Sequence, residues 1–386
     1  MNNPNMEIVA DENIPFAREA FGQFGTVRLV PGRQICRRDL ERAGALVVRS
    51  VTHVNSQLLD GTPVRFVGTA TIGTEHLAHG WLRQQGIAVA DAAGCNSRSV
   101  AEYLVATLME LRRLGTLAIP GGTIGVIGVG RIGSLVASMA TALGLRVVPH
   151  DPPRSQHDGF PATTLQQALD CDAATLHVPL VTQGAHPTAH LLNAARLRML
   201  KPRSTLINTS RGGVVELPEL IAGLRNGVFK AIVDVWEGEP EIPIDLATNA
   251  TLITPHIAGY SLEGKLRGTE MMANALGAFV GKENRWRMEE HLPPVAEAIA
   301  IPEGLVGLDA VEHCVRKAFN IRTDDANIRA LLNLDADQRR SGFDALRKGY
   351  RARREFPAFT VAPPADAATA ALLAALGFTV LGLPVG

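Results

Sequence analysis

The chain lacks an excess of charge of either sign. Lysine plus arginine and aspartate plus glutamate each number 38 among 386 residues, so the formal net charge is zero. No broad positive field is therefore available to hold nucleic acid or an anionic membrane surface. We expect neither as a partner, and any anionic ligand must be met by local charges.

Cysteine is also scarce, and the four that are present lie far apart with no C-x-x-C pair: Cys36, Cys95, Cys171 and Cys314. This spacing argues against a disulfide framework or a zinc site and predicts reduced, buried thiols. His186 and His190 have the spacing of metal ligands on a helix, but Gly184 and Pro187 predict a loop there, and no third ligand is evident. We therefore expect no metal site.

Neither end of the chain carries a clear membrane signal. Residues 1–6 lack the basic and apolar regions of a signal peptide, which favours a cytoplasmic protein. Residues 367–386 are almost wholly apolar and approach the length of a membrane span. Asp366 can cap a helix through Leu376, however, and Gly377 separates this helix from the short apolar run 378–381. We expect a helix followed by a buried strand rather than a membrane tail.

What the chain does contain is an alternation of apolar runs and helical patterns, which is typical of α/β proteins. With 46% hydrophobic residues, it can build two or three globular domains. Five short apolar runs in the N-terminal part predict a mostly parallel sheet: Ile8–Ala10, Val27–Val30, Ala45–Val48, Phe66–Val67 and Ile87–Val89. Asn96 and Ser97 then offer a cap for a long helix.

From Thr123 the alternation becomes more regular, through six further runs: Ile124–Val126, Arg146–Val148, Ala174–Leu176, Thr205–Ile207, Ala231–Val233 and Thr251–Ile253. Six strands with helices between them predict a doubly wound parallel sheet. A helical pattern from Leu262 to about Val280 would return the chain to the first domain. We therefore expect a domain of residues 96–259 inserted in an α/β domain of residues 1–95 and 260–290, with a small α+β domain at residues 291–386.

Three glycines, Gly128, Gly130 and Gly133, follow the predicted strand 123–127 and precede a predicted helix. The first permits a tight turn, the second lets backbone amides approach a pyrophosphate, and the third allows close helix–strand packing. Asp151, at the end of the next strand, can accept hydrogen bonds from an adenosine ribose, which favours NAD over NADP although Arg154 lies close. The alternatives are a glycine turn without a ligand and a turn role for Asp151 before two prolines.

Three further residues indicate chemistry. Arg211 follows a predicted strand, and a guanidinium can hold a carboxylate and polarise an adjacent oxygen. His256 follows another strand and suits proton transfer near neutral pH, while Glu239 could orient it and stabilise its charged form. The alternative for Arg211 is a surface ion pair, which would not explain the two glycines that follow it. Taken singly, His256 and Glu239 are better explained as a strand-end histidine and a loop carboxylate. The order of the three residues after the glycine cluster favours a nicotinamide-dependent dehydrogenase.

The motifs together resemble those of the D-2-hydroxyacid dehydrogenases. The resemblance covers residues 45–285 and rests on the glycine cluster, His177–Leu180, the Arg211 segment, Asp234–Pro240 and Pro255–Gly259. A narrower resemblance, to a branch that acts on a phosphorylated acid, rests on Asp11–Pro15, Val48–Thr52, Gly259–Lys265 and the C-terminal block.

This resemblance implies an enzyme that uses NAD to oxidise the C2 hydroxyl of a small phosphorylated 2-hydroxy acid. It implies catalytic roles for Arg211, Glu239 and His256, the last of which transfers the proton. The remaining implied contacts are Ser50, Thr71 and Tyr260 for the substrate, and Gly128, Gly130, Arg131, Ile132, Gly133, Asp151, Val178, Asp234 and Gly259 for the cofactor. A related enzyme has threonine where Val178 stands, so only a backbone contact could survive there. The C-terminal block is expected to form a homodimer.

The substrate phosphate needs a positive partner. Arg49 is one candidate, and the other is a predicted helical face of Arg347, Arg351 and Arg354. We expect that face to pack against a partner subunit and lend an arginine to its active site, with a solvated basic face as the equal alternative. Two other functions stay open: a D-2-hydroxyacid dehydrogenase of phosphoglycerate or glycerate type, and a non-enzymatic NAD-sensing scaffold.

Overall fold

The computed structural model describes residues 6–295 and 297–382, so the predictions about residues 1–5 and 383–386 lie outside the described part. By their contacts the residues form two compact units. One consists of Met1–Asn96 with Ser261–Pro293, and the other of Ser97–Tyr260 with Pro294–Gly386. The chain thus leaves the first unit, builds most of the second, and returns to the first before the C-terminal block.

The first unit begins with eight elements: β1 (Glu7–Asp11), α1 (Ala17–Gly22), β2 (Thr26–Val30), β3 (Ala43–Val48), α2 (Ser56–Leu59), β4 (Phe66–Thr69), α3 (His79–Gln84) and β5 (Ala88–Asp91). The strands form one parallel sheet in the order β2-β1-β3-β4-β5. Each strand overlaps one of the predicted apolar runs. Short continuous apolar runs suit strands buried on both faces, as in β1, β3 and β4, whereas the edge strands β2 and β5 are partly exposed.

The second unit opens with α4 (Ser97–Arg113), which is buried along most of its length. The alternating part follows: β6 (Thr123–Ile127), α5 (Arg131–Ala142), β7 (Arg146–His150), α6 (Pro152–Asp158), α7 (Leu165–Leu169), β8 (Ala173–Leu176), α8 (Ala194–Leu197), β9 (Thr205–Asn208), α9 (Leu217–Arg225), β10 (Lys230–Val233), α10 (Ile244–Asn249) and β11 (Leu252–Ile253). All six strands pair in parallel in the order β11-β10-β9-β8-β6-β7, so the predicted doubly wound sheet is confirmed. The order reverses between β6 and β8, the point at which such sheets bind ligands.

Helix α11 (Leu262–Val280) belongs to the first unit, and its ends are the predicted ones. The Ser261 hydroxyl begins it by accepting the Gly264 N–H at 2.8 Å. Gly281, with φ 71°, ends it in the left-handed conformation that glycine adopts without strain. The buried side chains of α11 pack in one cluster with residues of β1, α1 and β4, and they include Leu266, Met272, Ala273 and Leu276.

The C-terminal block lies in the second unit by its contacts. Its elements are α12 (Gly307–Ala318), α13 (Ile321–Ala330), α14 (Ala336–Lys348), β12 (Thr360–Val361), α15 (Ala367–Leu376) and β13 (Thr379–Val380). Asp366 caps α15 by accepting the Thr369 N–H at 2.7 Å, and α15 ends before Gly377 as predicted. Within residues 6–295 and 297–382, no helix is long and apolar enough to span a membrane. The division into three domains stays a prediction.

One of the four cysteines departs from expectation. Cys95, Cys171 and Cys314 are buried, but Cys36 is exposed, so the prediction that the thiols are buried is wrong for Cys36. Cys36 begins a short surface turn, where the Asp39 carboxylate accepts its N–H at 2.9 Å and its S–H at 3.2 Å. These polar contacts hold the thiol at the surface.

A buried carboxyl group joins α4 to the C-terminal block. Glu102 is 1% exposed, and its Oε1 accepts the Phe356 N–H at 2.8 Å. Ser99 of the same helix donates its hydroxyl to Glu355 at 3.0 Å, so a second glutamate is buried nearby. Burial, with the charge of Glu355, raises the pKa of Glu102 to about 8.

We expect Glu102→Gln to stabilise the protein at pH 9 and to change little near pH 4. Between pH 4.5, the ordinary pKa of a glutamate, and about pH 8, the pKa in the folded protein, Glu102 ionises only on unfolding. Unfolding therefore releases a proton, and rising pH lowers the stability of the unaltered protein across this window. Because one pKa unit is worth about 1.4 kcal/mol, the gain should reach a few kcal/mol. The measurement is the difference in melting temperature between variant and parent at each pH.

Glu110, also on α4, supplies a control of opposite sign. Burial opposes the ionisation of Glu110, but Arg113 and Arg322 outweigh burial and lower its pKa. The stability that these ion pairs contribute is present above the ordinary pKa of a glutamate and is lost as the pH falls through the lower pKa of the folded protein. Glu110→Gln should therefore destabilise at neutral pH and less so in acid. If the difference in melting temperature between Glu102→Gln and the parent were the same at every pH, Glu102 would not be protonated in the folded protein.

Candidate active site

The residues singled out in the second unit follow the carboxyl ends of its strands. Gly128 comes after β6, Asp151 after β7, Val178 after β8, Arg211 after β9 and His256 after β11. Because β9, β10 and β11 are neighbours in the sheet, the loops after them leave the same edge side by side. The chemical residues thus lie on one side of the switch point between β6 and β8, and the glycine turn adjoins it.

The glycine turn fits a dinucleotide. Gly128 has φ 86°, and a Cβ there would lie 2.7 Å from the His177 carbonyl oxygen, while a Cβ on Gly133 would lie 2.0 Å from the Gly128 carbonyl oxygen. Packing inside the protein explains those two glycines. Gly130 differs, because a Cβ there would meet nothing within 4 Å. Open space before the first turn of α5, which begins with Arg131 and Ile132, is what a pyrophosphate at a helix N-terminus needs.

Asp151 makes the local contacts of a turn residue, which was the alternative to a contact with the ribose. Its Oδ1 caps α6 by accepting the Arg154 N–H at 3.0 Å, and its Oδ2 accepts the Val129 N–H of the glycine turn at 2.7 Å. Arg154 donates from Nη1 to the Val129 carbonyl at 2.7 Å. The turn role is therefore present, and the ribose contact stays a prediction. Val178 is half-buried beside Gly128.

Glu239 and His256 form a close pair. Nδ1 of His256 lies 2.8 Å from Oε2 and 3.0 Å from Oε1 of Glu239, and the Trp236 N–H donates to Oε1 at 2.9 Å. Burial of Glu239 opposes its ionisation, but the His256 hydrogen bond and charge, the Trp236 N–H and Arg347 outweigh burial and lower its pKa. The predicted pairing of an imidazole with an orienting carboxylate is present in the structure.

Asp234 shapes the loop that carries His256. It is 1% exposed, and it accepts the Thr254 hydroxyl at 2.6 Å and the N–H groups of Ile257 and Ala258 at 2.8 and 3.0 Å. These bonds fix His256 at φ 56°, an uncommon conformation for a residue other than glycine. Burial raises the pKa of Asp234, although its hydrogen bonds and His256 oppose the shift. The predicted NAD contacts of Asp234 and of Gly259, next along the loop, stay predictions.

Tyr103 is a contributor that the sequence reasoning missed. Its hydroxyl lies 2.7 Å from the Thr254 hydroxyl, which in turn donates to Asp234. Tyr103 is fully buried on α4, where its spacing predicts only an apolar helix face. A tyrosine on such a face needs a hydrogen-bond partner, and that requirement was the available signal.

The Arg211 loop packs backbone to backbone on the Glu239 loop. A Cβ on Gly212 would lie 2.1 Å from the Glu237 nitrogen and 2.1 Å from the Trp236 carbonyl carbon. Arg211 is half-buried, and its Nη1 donates to the Ser210 carbonyl at 2.8 Å. Glycine at position 212 thus allows the approach that sets the two loops against each other.

The predicted substrate residues lie in different units. Ser50 and Thr71 follow the adjacent strands β3 and β4 of the first unit; Ser50 is exposed, and the Thr71 hydroxyl lies 2.9 Å from that of Thr69. In the same unit, Nε of Arg49 lies 3.9 Å from Asp11. Tyr260 belongs to the second unit and meets Tyr350 edge-on, with ring centroids 5.8 Å apart.

The arginines of the C-terminal block correct one prediction. Helix α14 ends at Lys348, so Arg351 and Arg354 do not share a helical face with Arg347. Arg351 instead forms a two-pronged ion pair with the buried Asp324, at 2.5 and 2.9 Å. Arg347 reaches Glu239 of its own chain, at 3.7 Å. Gly349, directly after the helix, was the sequence signal for the earlier end.

The two histidines at helical spacing make separate contacts. Nε2 of His190 lies 3.1 Å from Glu237, and Nε2 of His186 lies 3.1 Å from Gln156. Among the described residues, no group of three or more histidine, cysteine, aspartate or glutamate side chains is arranged to hold a metal ion.

Two parts of the chain match known families. Residues 97–258 match the D-isomer specific 2-hydroxyacid dehydrogenase, NAD binding domain, and residues 292–377 match a domain of unknown function, DUF3410. Erythronate-4-phosphate dehydrogenase of Salinibacter ruber is 45% identical over 370 residues, covering 92% of this chain and 94% of that protein. The protein of the same name from Salmonella typhimurium is 40% identical over 382 residues, covering 98% and 100%.

Solved structures share the architecture. D-lactate dehydrogenase from Aquifex aeolicus, complexed with NAD and lactic acid, matches with a TM-score of 0.59 and 26% identity, over 71% of this chain and 95% of that one. A Thermus thermophilus protein, TT0316, matches with a TM-score of 0.61 and 26% identity, over 72% and 99%. The chain belongs to the D-isomer specific 2-hydroxyacid dehydrogenases and, within them, to the erythronate-4-phosphate dehydrogenases.

Proposed function

We propose that this protein oxidises the C2 hydroxyl of 4-phospho-D-erythronate to 2-oxo-3-hydroxy-4-phosphobutanoate with NAD, as a step of pyridoxal 5′-phosphate biosynthesis. The observation that carries the chemistry is the Glu239–His256 pair, 2.8 Å apart at the carboxyl edge of the doubly wound sheet. An imidazole oriented by a carboxylate is suited to taking the proton of a hydroxyl. The choice of substrate follows the relatives, which are 40% and 45% identical over nearly their whole length.

Glu239 determines which nitrogen of His256 reacts. An ionised carboxylate only accepts hydrogen bonds, so Nδ1 carries the hydrogen that is donated to Glu239. In the neutral imidazole the lone pair then lies on Nε2. Nε2 takes the hydroxyl proton while the C2–H bond breaks and the C2–O bond becomes a carbonyl. Asp234 supports this step by fixing the loop on which His256 lies.

NAD, when bound, accepts the hydride that leaves C2. The residues that would hold it are Gly128, Gly130 and Gly133 around the pyrophosphate and Asp151 near the ribose. Arg211 would bind the substrate carboxylate with two hydrogen bonds and stabilise the negative charge that develops on the C2 oxygen. Its placement against the Glu239 loop, through Gly212, supports this assignment.

The remaining assignments are part of the same proposal. Ser50, Thr71 and Tyr260 contact the substrate, and Arg49 meets the distal phosphate. A second copy of the chain completes a homodimer through the C-terminal block. We also place the enzyme in the cytoplasm.

The test is NADH formation by the purified protein with 4-phospho-D-erythronate, 3-phosphoglycerate and unphosphorylated erythronate in parallel, with a carbonyl trap to pull the reaction forward. We expect kcat/KM for 4-phosphoerythronate to exceed that for unphosphorylated erythronate by about a hundredfold or more, since a site built for a charged group rejects acids that lack it. 3-Phosphoglycerate keeps the phosphate but is one carbon shorter, so its phosphate lies at a different distance from C2, and we expect it to react more slowly as well. Preference for 3-phosphoglycerate would keep the mechanism and discard the pathway. No NADH from any of the three would instead favour a scaffold that binds NAD.

A further inference from the structure

The last turn of α14 brings a guanidinium to the catalytic pair. Nη1 of Arg347 lies 3.7 Å from Oε2 of Glu239, and the same oxygen lies 2.8 Å from Nδ1 of His256. Oε2 is therefore shared between an imidazole and a guanidinium. All three residues belong to one compact unit, so the C-terminal block reaches the pair within its own chain.

Aromatic rings hold the Arg347 side chain in place. Its guanidinium carbon lies 5.6 Å from the ring centroid of Phe343, one turn earlier on α14, and 5.8 Å from that of Tyr260. Phe343 is fully buried, which anchors this turn of α14. The Arg347 side chain is 27% exposed. Arg347 is thus an oriented, largely covered cation, and covering a charge has a cost that a neutral side chain would avoid.

We propose that Arg347 is a positioning residue for catalysis, which keeps Glu239 ionised and its Oε2 directed at His256. The guanidinium favours the negative charge on Glu239 and helps to lower the pKa of that carboxyl group. An ionised Glu239 accepts the hydrogen bond from Nδ1 of His256 and leaves Nε2 to accept the substrate proton. The inference rests on the proposed function, because it relies on His256 taking the substrate proton.

Charged groups from two elements act on this pair. Arg347 approaches Glu239 from α14, and Asp234, directly after β10, interacts with His256. The ring of Tyr260, in the segment after β11, faces the Arg347 guanidinium. Asp234 and Glu239 are both acidic, so without Arg347 two carboxylates would share the surroundings of one imidazole. Arg347 is the cation that offsets them.

Arg347 differs from Arg351, whose ion pair lies within the C-terminal block. Arg351 makes short, two-pronged contacts with Asp324, at 2.5 and 2.9 Å, as expected of a structural ion pair. Arg347 makes a single, longer contact with Glu239, at 3.7 Å. At that separation its influence is mainly electrostatic, and a change in the ionisation behaviour of the pair is the signature to measure.

The experiment compares Arg347→Met and Arg347→Gln with the unaltered enzyme and with Lys348→Met, which removes one exposed positive charge from the same turn. Both Arg347 variants should lower kcat by about tenfold, retain NAD affinity and move the acid limb of the kcat profile to higher pH, because Glu239 loses a positive charge that lowers its pKa. Lys348→Met should leave kcat and the profile unchanged. Arg347→Lys should restore part of the rate.

A double-mutant cycle tests whether Arg347 acts through Glu239. If it does, Glu239→Gln combined with Arg347→Met should be about as slow as Glu239→Gln alone. If the losses of kcat in the two single variants instead multiplied in the double variant, the proposal would be overturned and a direct contact of Arg347 with the substrate would be indicated. An Arg347 variant with a lower melting temperature but an unaltered pH profile would also overturn it, in favour of a structural ion pair. Failure of the unaltered enzyme on 4-phosphoerythronate would instead reject the proposed function.

Discussion

Replacing His256 with asparagine is expected to lower kcat by about a thousandfold, a typical loss for a general base. Asparagine is the informative choice because His256 has φ 56°, and asparagine adopts that region more readily than most residues. The loop held by Asp234 should therefore keep its conformation, and the loss can be attributed to the missing imidazole. NAD affinity should stay within a few-fold of the parent value.

The measurement combines steady-state kinetics with NAD titration by fluorescence. His256→Ala is the companion variant, because alanine removes the imidazole but is less suited to a positive φ. Equal losses of kcat in both variants would assign the effect to the side chain. Turnover in His256→Asn that stays near the parent rate would remove His256 from the mechanism.

Gly212→Ala is expected to destabilise the protein by about 3 kcal/mol, the upper range for forcing an extra methyl group into a packed interior. The new Cβ would lie 2.1 Å from two backbone atoms, the Glu237 nitrogen and the Trp236 carbonyl carbon, and neither can move like a flexible side chain. The Arg211 and Glu239 loops must separate to make room. Misplacement by about 1 Å can cost about a hundredfold in rate, and we expect kcat to fall by that much.

Gly213→Ala is the matched control for this prediction. The nearest atom to a Cβ at position 213 is Cδ1 of Leu180 at 3.6 Å, an ordinary van der Waals distance. The same methyl group, one residue along the same loop, should therefore change stability by well under 1 kcal/mol. Denaturant unfolding of both variants and the parent gives the comparison. Equal stabilities for the two alanine variants would show that the loops adjust without cost.

The sequence predicted the framework well because local physics determines it. The five runs of the first sheet and the six of the second all became strands, since short apolar runs between helices have few other ways to be buried. Helix α11 begins and ends where its helical pattern predicts, and the structure shows Ser261 and Gly281 as its caps. Arg211 and His256 were predicted to follow strands, and the structure places them after β9 and β11 at one edge of the sheet, while the catalytic roles stay predictions.

The sequence could not reveal contacts that depend on distant segments. Arg347 lies far along the chain from Glu239, and no local pattern indicates that α14 packs in the unit that contains the pair. The Asp234 carboxylate accepts hydrogen bonds from Thr254, Ile257 and Ala258. These bonds depend on the conformation of the turn after β11, which a sequence motif does not specify. The candidate residues could therefore be predicted from local sequence, whereas the side chains that surround them are set by tertiary packing.

The return of α11 to the first unit constrains the order in which the newly made chain can fold. Strands β1 to β5 are synthesised first, but Leu266, Met272 and Leu276, which cover part of their sheet, come only after the whole doubly wound sheet. At ribosomal rates of roughly 5–20 residues per second, α11 emerges on the order of ten seconds after β5. During that interval an apolar face of the first sheet stays uncovered. The unit that is synthesised first is therefore completed only after the strands of the second unit have been made. Until then its apolar face needs protection from other nascent chains.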